Sequence, residues 1–157
     1  MNSIPSHARR PRWRARAATI AAFRTGDWLV LGEAIATVLV VQAALHVAAF
    51  PRVLAWATHT GRMPAAAWTA ARVERVAWLV SLGGRVMRLR CLTRSLALAR
   101  VLGRRGIVTD VRIGVRTEDG ALKAHAWVEW EGRALNDSAG ALQPFTPLDR
   151  LGDVLNV

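Results

Sequence analysis

Three side chains in the sequence have the types and the order that a cysteine nucleophile requires. Cys91, the single cysteine, begins a stretch with helical periodicity, His125 lies in an alternating stretch typical of a strand, and Asp137 ends the next predicted strand, at 133–137. In such units a thiolate attacks, a histidine holds and returns the proton, and an acid orients the imidazole ring. The residue types therefore predict nucleophilic catalysis by Cys91, His125 and Asp137.

The position of Cys91 at the start of a helix favours this chemistry. The partial positive charge of a helix N-terminus stabilises a thiolate, and the free amides of the first turn can stabilise an oxyanion. Three nearby arginines add positive potential: Arg88, Arg90 and Arg94. From residue types alone the alternatives stay open, namely a buried and inert Cys91, a surface His125 on a strand, and an Asp137 that only closes a turn.

The spacing between His125 and Asp137 gives a geometric test of their pairing. A three-residue loop at 130–132 would pair Glu129 with Arg133. His125 would then lie opposite Asp137 on the same sheet face. A two-residue loop would shift the register by one and turn Asp137 to the other face. The opposite charges of Glu129 and Arg133 favour the three-residue loop, which the catalytic unit therefore requires.

We expect one compact domain made of three segments, because 157 residues suit a single core. Residues 1–24 form a basic N-terminal arm, residues 25–84 form a helical region, and residues 85–157 contain the candidate catalytic side chains. Gly83-Gly84 is predicted to end the last helix of the helical region and to mark the main boundary in the chain.

The segment after this boundary begins as a helix and continues as strands. Residues 91–103 have apolar side chains at helical spacing, whereas residues 108–116 and 123–131 alternate. Trp127 and Glu129 share the predicted face of His125, where they either line a cleft or only pack and pair at the surface. The order of elements predicts an α+β fold, in which N-terminal helices pack on a Cys-bearing helix and an antiparallel sheet.

The most apolar stretch, residues 28–50, is long enough to span a bilayer. Glu33, Gln42 and His46 lie inside it, and each is costly in hydrocarbon. The sequence therefore predicts a central helix that protein packs on most sides and that Pro51 ends or kinks. Together with the single cysteine, which suits a reducing compartment, this predicts a cytoplasmic protein. Contact of the basic arm or of this helix with a membrane surface is the alternative.

Charge and composition exclude several functions. The chain has 22 Lys+Arg against 11 Asp+Glu, a formal net charge of +11 at pH 7. No zinc-finger pattern, RNP motif or heptad repeat with a basic region accompanies this charge, so we expect no nucleic-acid partner. One cysteine excludes an internal disulfide framework and a multi-cysteine zinc or iron–sulfur site, and we expect no cofactor and no metal.

A resemblance to a known family rests on three segments, CLTRSLALARVLGRRGI, VRIGV and KAHAWVEWEGRALND. Over about residues 85–138 the chain resembles the standalone B2 proteins of lasso-peptide biosynthesis, which are transglutaminase-like cysteine leader peptidases. Thr93 stands where the pattern CLPRS has proline, a change in the first helical turn that leaves the chemistry intact. The resemblance implies a papain/transglutaminase-type core with Cys91 as nucleophile, His125 as general base and acid, and Asp137 as the orienting acid.

The resemblance also implies a substrate and partners. The substrate would be a ribosomally made lasso-peptide precursor, whose leader is removed before a separate macrolactam-forming synthetase closes the ring. A separate leader-binding protein would be needed, because no peptide-clamping module is recognisable in the sequence. Two other interpretations stay open: an acyltransferase that uses the same triad, and a non-catalytic, membrane-associated scaffold subunit of the maturation complex.

Overall fold

The computed structural model describes residues 24–61, 68–87 and 89–148 of the chain. The basic arm except Arg24, residues 62–67 of the helical region, Arg88 and residues 149–157 lie outside these residues. The helices of the described part are α1 Thr25–Val47, α2 Phe50–Thr58, α3 Ala70–Val86, α4 Cys91–Gly103 and α5 Ala139–Leu142. Its strands are β1 Asp110–Glu118, β2 Ala121–Trp130, β3 Arg133–Ala134 and β4 Thr146–Leu148.

The strands form one antiparallel sheet in the order β3-β2-β1-β4. The α+β fold expected from the sequence is therefore confirmed, and α4 coincides with the predicted helix at 91–103. The two predicted strands are present as β1 and β2, with ends that differ by one or two residues. The sequence did not predict β4, which pairs with β1 through three residues from the far end of the described chain.

Both ends of β2 are closed by tight turns of the same kind. Asp119 and Gly120 join β1 to β2 with φ angles of 51° and 74°, and Glu131 and Gly132 join β2 to β3 with 49° and 73°. Positive φ at both central residues characterises the type I′ turn, whose twist matches that of the flanking strands. The second central position is glycine in both turns, which adopts this conformation without steric cost.

The second turn contradicts the predicted hairpin register. Trp130 pairs with Arg133, and Glu129 pairs with Ala134, so the loop has two residues and not three. The expected Glu129–Arg133 pair is absent, and Glu129 instead accepts a hydrogen bond from Arg112 Nε at 3.1 Å. An exposed ion pair contributes at most about 1 kcal/mol. Such a pair is too weak to displace a turn whose backbone conformation suits the hairpin.

The central element of the molecule is α4, which contacts α1, α2, α3, β1 and β2. Nine of its 13 residues are buried. Small residues allow neighbours to approach it from several sides; a Cβ on Gly103 would lie 2.8 Å from the His59 carbonyl oxygen. One buried cluster extends from α1 and α3 through α4 to the sheet, and includes Val38, Leu96 and Val128.

The prediction that protein packs the most apolar helix on most sides is wrong. α1 buries only one face, formed by Ala34, Thr37, Val38 and Val41. The opposite face exposes large apolar side chains, namely Trp28, Leu29, Ile35, Leu39, Val40 and Val47. By its length and hydropathy α1 could also cross a membrane, a test that core helices of soluble proteins and signal sequences also pass.

Glu33, Gln42 and His46 of α1 have side-chain partners within the protein, whereas the buried hydroxyl of Thr37 has none. Glu33 accepts a hydrogen bond from Arg105 Nη2 at 2.5 Å. The Gln42 side-chain oxygen accepts one from the Thr93 hydroxyl at 3.1 Å, and its amide nitrogen lies 3.1 Å from His46 Nε2. Thr93 lies in the first turn of α4, and Arg105 lies in the turn that follows α4. These contacts therefore connect α1 to both ends of α4.

The helix boundaries around α3 differ from the prediction in two ways. α3 continues through Gly83-Gly84 to Val86, so the glycine pair does not end the helix. A Cβ on Gly84 would lie 2.5 Å from Arg94 Cγ, so this glycine provides space for a close side chain. Pro51 does not end α1, which stops at Val47, but lies in the first turn of α2, where its missing N–H costs nothing.

We expect the protein to remain in the supernatant after carbonate extraction of a cell lysate, because Gln42 and Glu33 of α1 are hydrogen-bonded to α4 and to the turn that follows it. The matched variant L39Q/V40Q makes the exposed face of α1 more polar and should behave identically. If the unmodified chain stays in the carbonate pellet and this variant is released, α1 is a membrane-inserted helix and the cytoplasmic prediction is wrong.

Candidate active site

Cys91 is the first residue of α4 and is half-buried. The preceding residue, Arg90, has an extended backbone and does not cap the helix with its side chain. The first amide groups of a helix have no partner within the helix. The N-terminus of α4 therefore combines a thiol with amide donors and the positive end of the helix dipole, as expected from the sequence.

His125 and Asp137 lie in direct contact. His125 Nε2 and Asp137 Oδ2 are 3.0 Å apart, in a partly buried position. An ionised carboxylate only accepts hydrogen bonds, so Nε2 is the donor and Nδ1 carries the lone pair of the neutral ring. Nδ1 is therefore the nitrogen available to exchange a proton with a thiol. Within the described residues, the Cys91 thiol has no hydrogen bond to the ring.

The contact between His125 and Asp137 forms in spite of the unexpected register. A regular strand with this register would turn Asp137 to the other sheet face. However, β3 ends at Ala134, and after one further backbone hydrogen bond from the Leu135 N–H to the Val128 carbonyl oxygen at 2.9 Å, the Val128 N–H donates to the side-chain oxygen of Asn136 at 2.8 Å in place of a backbone carbonyl. The chain leaves the ladder there, and Asp137 returns to His125. The three-residue loop is therefore not required, contrary to the sequence argument.

A buried serine connects the three segments that carry Cys91, His125 and Asp137. Ser95, one helical turn after Cys91, is fully buried. Its hydroxyl donates to the Ala126 carbonyl oxygen at 3.0 Å and accepts from the Asn136 amide at 3.1 Å. Ala126 is adjacent to His125, and Asn136 is adjacent to Asp137. One hydroxyl therefore fixes the helix, the strand and the turn relative to one another.

Ser95 and Asn136 are not among the residues that the sequence predicts to act at this site. A weak signal was present, since a serine interrupts the apolar spacing of α4 exactly one turn after the cysteine. Such a serine must find buried partners, because an unpaired buried hydroxyl is costly. No local pattern indicates that the partner amide belongs to Asn136, which is 41 residues further along the chain.

Two aromatic rings flank the imidazole of His125. The ring of Trp127 lies nearly parallel to it at a centroid distance of 6.4 Å, and the ring of Phe145 is tilted at 5.3 Å. Trp127 is buried, and its indole N–H donates to Glu129 at 2.8 Å. Trp127 and Glu129 therefore share the face of His125, as expected, and the second ring comes from a segment that the sequence analysis did not consider.

Gly114 makes room for these rings. It pairs with His125 across β1 and β2. A Cβ on this glycine would lie 2.8 Å from the ring of Trp127 and 3.0 Å from Phe145 Cβ. Phe145 reaches this position because β4, which follows it, pairs with β1. Because Gly114 has no side chain opposite His125, the rings of Trp127 and Phe145 occupy this space.

Within the described residues no group of three or more His, Cys, Asp or Glu side chains could hold a metal ion. The arrangement is that of an α+β protein with a thiol at the start of a helix and an imidazole–carboxylate pair on the adjacent sheet. The family model of the transglutaminase-like superfamily matches residues 37–150. The chain therefore belongs to this superfamily, whose members are generally cysteine proteases or transferases. No curated protein and no solved structure matches the chain.

We expect Ser95→Ala and Asn136→Ala each to lower the free energy of unfolding by about 1–3 kcal/mol, because each leaves buried polar partners unpaired. The double variant should be less destabilised than the sum of the two, by at least about 0.5 kcal/mol, since both residues belong to one network. Urea unfolding measures these values. Gln143→Ala, which removes an exposed side-chain amide, is the control, and strictly additive losses would contradict the network.

Proposed function

We propose that the protein is a cysteine peptidase that removes the leader from a ribosomally made lasso-peptide precursor. Cys91 is the nucleophile, His125 the general base and acid, and Asp137 the residue that orients the imidazole. The observation that supports this chemistry most strongly is the 3.0 Å contact of His125 Nε2 with Asp137, which leaves Nδ1 for the thiol. The lasso-peptide substrate is supported by the resemblance over about residues 85–138.

The first half of the proposed reaction is acylation. His125 Nδ1 takes the thiol proton, and the sulfur of Cys91 attacks the carbonyl carbon of the scissile peptide bond. Negative charge develops on the carbonyl oxygen, which the first-turn amides of α4 can stabilise. His125 then gives its proton to the departing amine. The C–N bond breaks, the core peptide leaves with a free amino group, and the leader remains as a thioester.

The second half is hydrolysis of the thioester. A water molecule gives its proton to His125 Nδ1 while its oxygen attacks the thioester carbonyl. The C–S bond then breaks, the leader leaves with a free carboxylate, and the proton returns to the sulfur of Cys91. Throughout the cycle Asp137 accepts the hydrogen bond from Nε2, so it stabilises the imidazolium without changing its own protonation state.

Acyl transfer to an amine is the second candidate, because the superfamily includes transferases. The same thioester would then be attacked by an amine and not by water. Product analysis distinguishes the two, since hydrolysis gives a new carboxylate and transfer gives a new amide. A non-catalytic scaffold is the third interpretation, and under it a chain with Cys91→Ala would still support maturation.

We expect Cys91→Ala and His125→Ala to lower the rate of leader removal by about 10³-fold or more, because the nucleophile or the proton carrier is lost. Cys91→Ser should be nearly as inactive, since an alkoxide forms far less readily than a thiolate. Asp137→Asn should keep more activity than Asp137→Ala, because an amide oxygen can still accept from Nε2. The double variant of Cys91 and His125 should be little worse than either single one.

Mass spectrometry of the cleaved precursor measures these rates. His59→Ala and Asp110→Ala are matched controls, since they remove an exposed histidine and an exposed aspartate away from the site. A fully active Cys91→Ala chain would refute the enzymatic proposal. An unaffected Asp137→Ala chain would refute the orienting role alone.

We expect leader removal to require a separate leader-binding protein, as the resemblance implies. The purified chain is incubated with precursor, alone and with that protein, and initial rates are compared. A clear acceleration by the partner is the expected result, with a precursor that lacks its leader-binding segment as the control. Equal rates with and without the partner would contradict this requirement. In the cell we place this reaction in the cytoplasm, where the macrolactam-forming synthetase would take up the released core peptide.

A further inference from the structure

A cavity of about 470 Å³ opens beside Asp137. Arg85 of α3, Arg94 of α4 and residues 135–138 line it. Its volume lies within the range of small-ligand sites. We refer to this space as the arginine cavity, because two arginines of different helices line it and three of the four other lining residues are polar.

The two arginines of this cavity lack an acidic partner among the described residues. The Nε atom of Arg94 is buried and has no hydrogen-bond acceptor. The carboxylate in the same wall, Asp137, is engaged by His125. Several acids elsewhere in the described chain do have arginine partners, as in the pairs of Asp27 with Arg75 and Glu129 with Arg112. The cavity therefore retains positive charge that the protein does not neutralise.

The position of Arg94 is built into the packing of two helices. The aliphatic stem of Arg94 lies directly on Gly84 of α3, where a Cβ would come within 2.5 Å of Cγ and 2.6 Å of Cδ. Only glycine leaves this space free, which explains why a glycine stands at position 84 although the helix continues beyond it. A side chain held in this way loses little conformational freedom when its guanidinium binds a ligand.

The cavity is adjacent to both halves of the proposed catalytic unit. Arg94 is three residues after Cys91 on α4, so the two side chains are neighbours on the helix surface. Asp137 lies in the cavity wall and contacts His125. A peptide whose scissile bond lies at the thiol would therefore place a neighbouring side chain within reach of the two guanidinium groups.

We propose that the arginine cavity binds the carboxylate of an Asp or Glu side chain that lies close to the scissile bond of the peptide substrate. Guanidinium groups match carboxylates in charge and in geometry, with two parallel hydrogen bonds. The proposal rests on the peptidase function proposed above. The terminal carboxylate of the released leader has the same chemistry, so the experiment below separates the two sources.

The test uses pairs of precursor peptides that keep the leader-binding segment, span the cut and differ at one position by Glu or Gln. We expect the unmodified chain, with its partner protein, to prefer Glu at one position by about 10- to 100-fold in kcat/KM. Arg94→Gln should bring this preference close to unity by slowing cleavage of the Glu peptide alone. Arg94→Lys should keep part of it. Arg52→Gln, which removes an exposed arginine of α2, should keep all of it.

Gly84→Ala offers a test that changes no charge. The added methyl group must displace Arg94, so the preference for Glu should fall although both arginines remain. Thermal unfolding of each variant shows that the fold is kept. Equal cleavage of the Glu and Gln peptides at every position by the unmodified chain would overturn the proposal, as would equal losses toward both peptides in Arg94→Gln.

A binding measurement separates this inference from the peptidase function. Fluorescence anisotropy with the Cys91→Ala chain measures affinity for the same labelled pairs. A preference for Glu in binding, without any cleavage by the unmodified chain, would refute the peptidase function and support the carboxylate site. Cleavage without a preference for Glu would support the peptidase function and refute the carboxylate site. A leader product with a free C-terminus is compared with its C-terminal amide. If the chain distinguishes the free C-terminus from the amide but does not distinguish Glu from Gln, the cavity binds the terminal carboxylate of the leader and the proposed side-chain ligand is wrong.

Discussion

The hydroxyl of Ser95 is the contact on which the geometry of the site depends. It donates to the Ala126 carbonyl and accepts from the Asn136 amide, and Asn136 in turn accepts from the Val128 N–H. Leaving any one of these groups unpaired would cost about 1–3 kcal/mol. Since the neighbours of Ala126 and Asn136 are His125 and Asp137, movement of the sheet along α4 would break the hydrogen bonds of Ser95 and shift the imidazole–carboxylate pair relative to Cys91.

The burial of α4 explains why this network can hold Cys91 in place. Three helices and two strands contact α4, so it has little freedom to rotate or slide. Close approach on so many sides requires small residues, and at its end the Gly103 carbonyl accepts from the Gly61 N–H at 2.8 Å. The thiol therefore lies at the start of a helix that is packed on several sides, where the first amide groups have no partner within the helix.

The arginines are distributed unevenly in the structure, because some pair with acids and others do not. Arg75 donates hydrogen bonds to Asp27 and holds the pKa of that carboxyl below its ordinary value. Glu33 and Glu129 likewise have arginine partners. Because the arginines outnumber the acids, some remain unpaired, and those of the arginine cavity lie beside the candidate catalytic groups. The local potential there favours anionic groups of a substrate over cationic ones.

By itself the sequence determined the elements and their chemistry. Local periodicity indicated α4 with Cys91 at its start, alternation indicated β1 and β2, and the residue types indicated a thiol, an imidazole and a carboxylate. Only the tertiary structure decided the two-residue turn before β3, the departure of Asn136 from the ladder, and the placement of Phe145 beside His125. These features result from competition between a turn, a weak ion pair and buried hydrogen bonds of residues far apart in the chain, and no local pattern records which of these interactions prevails.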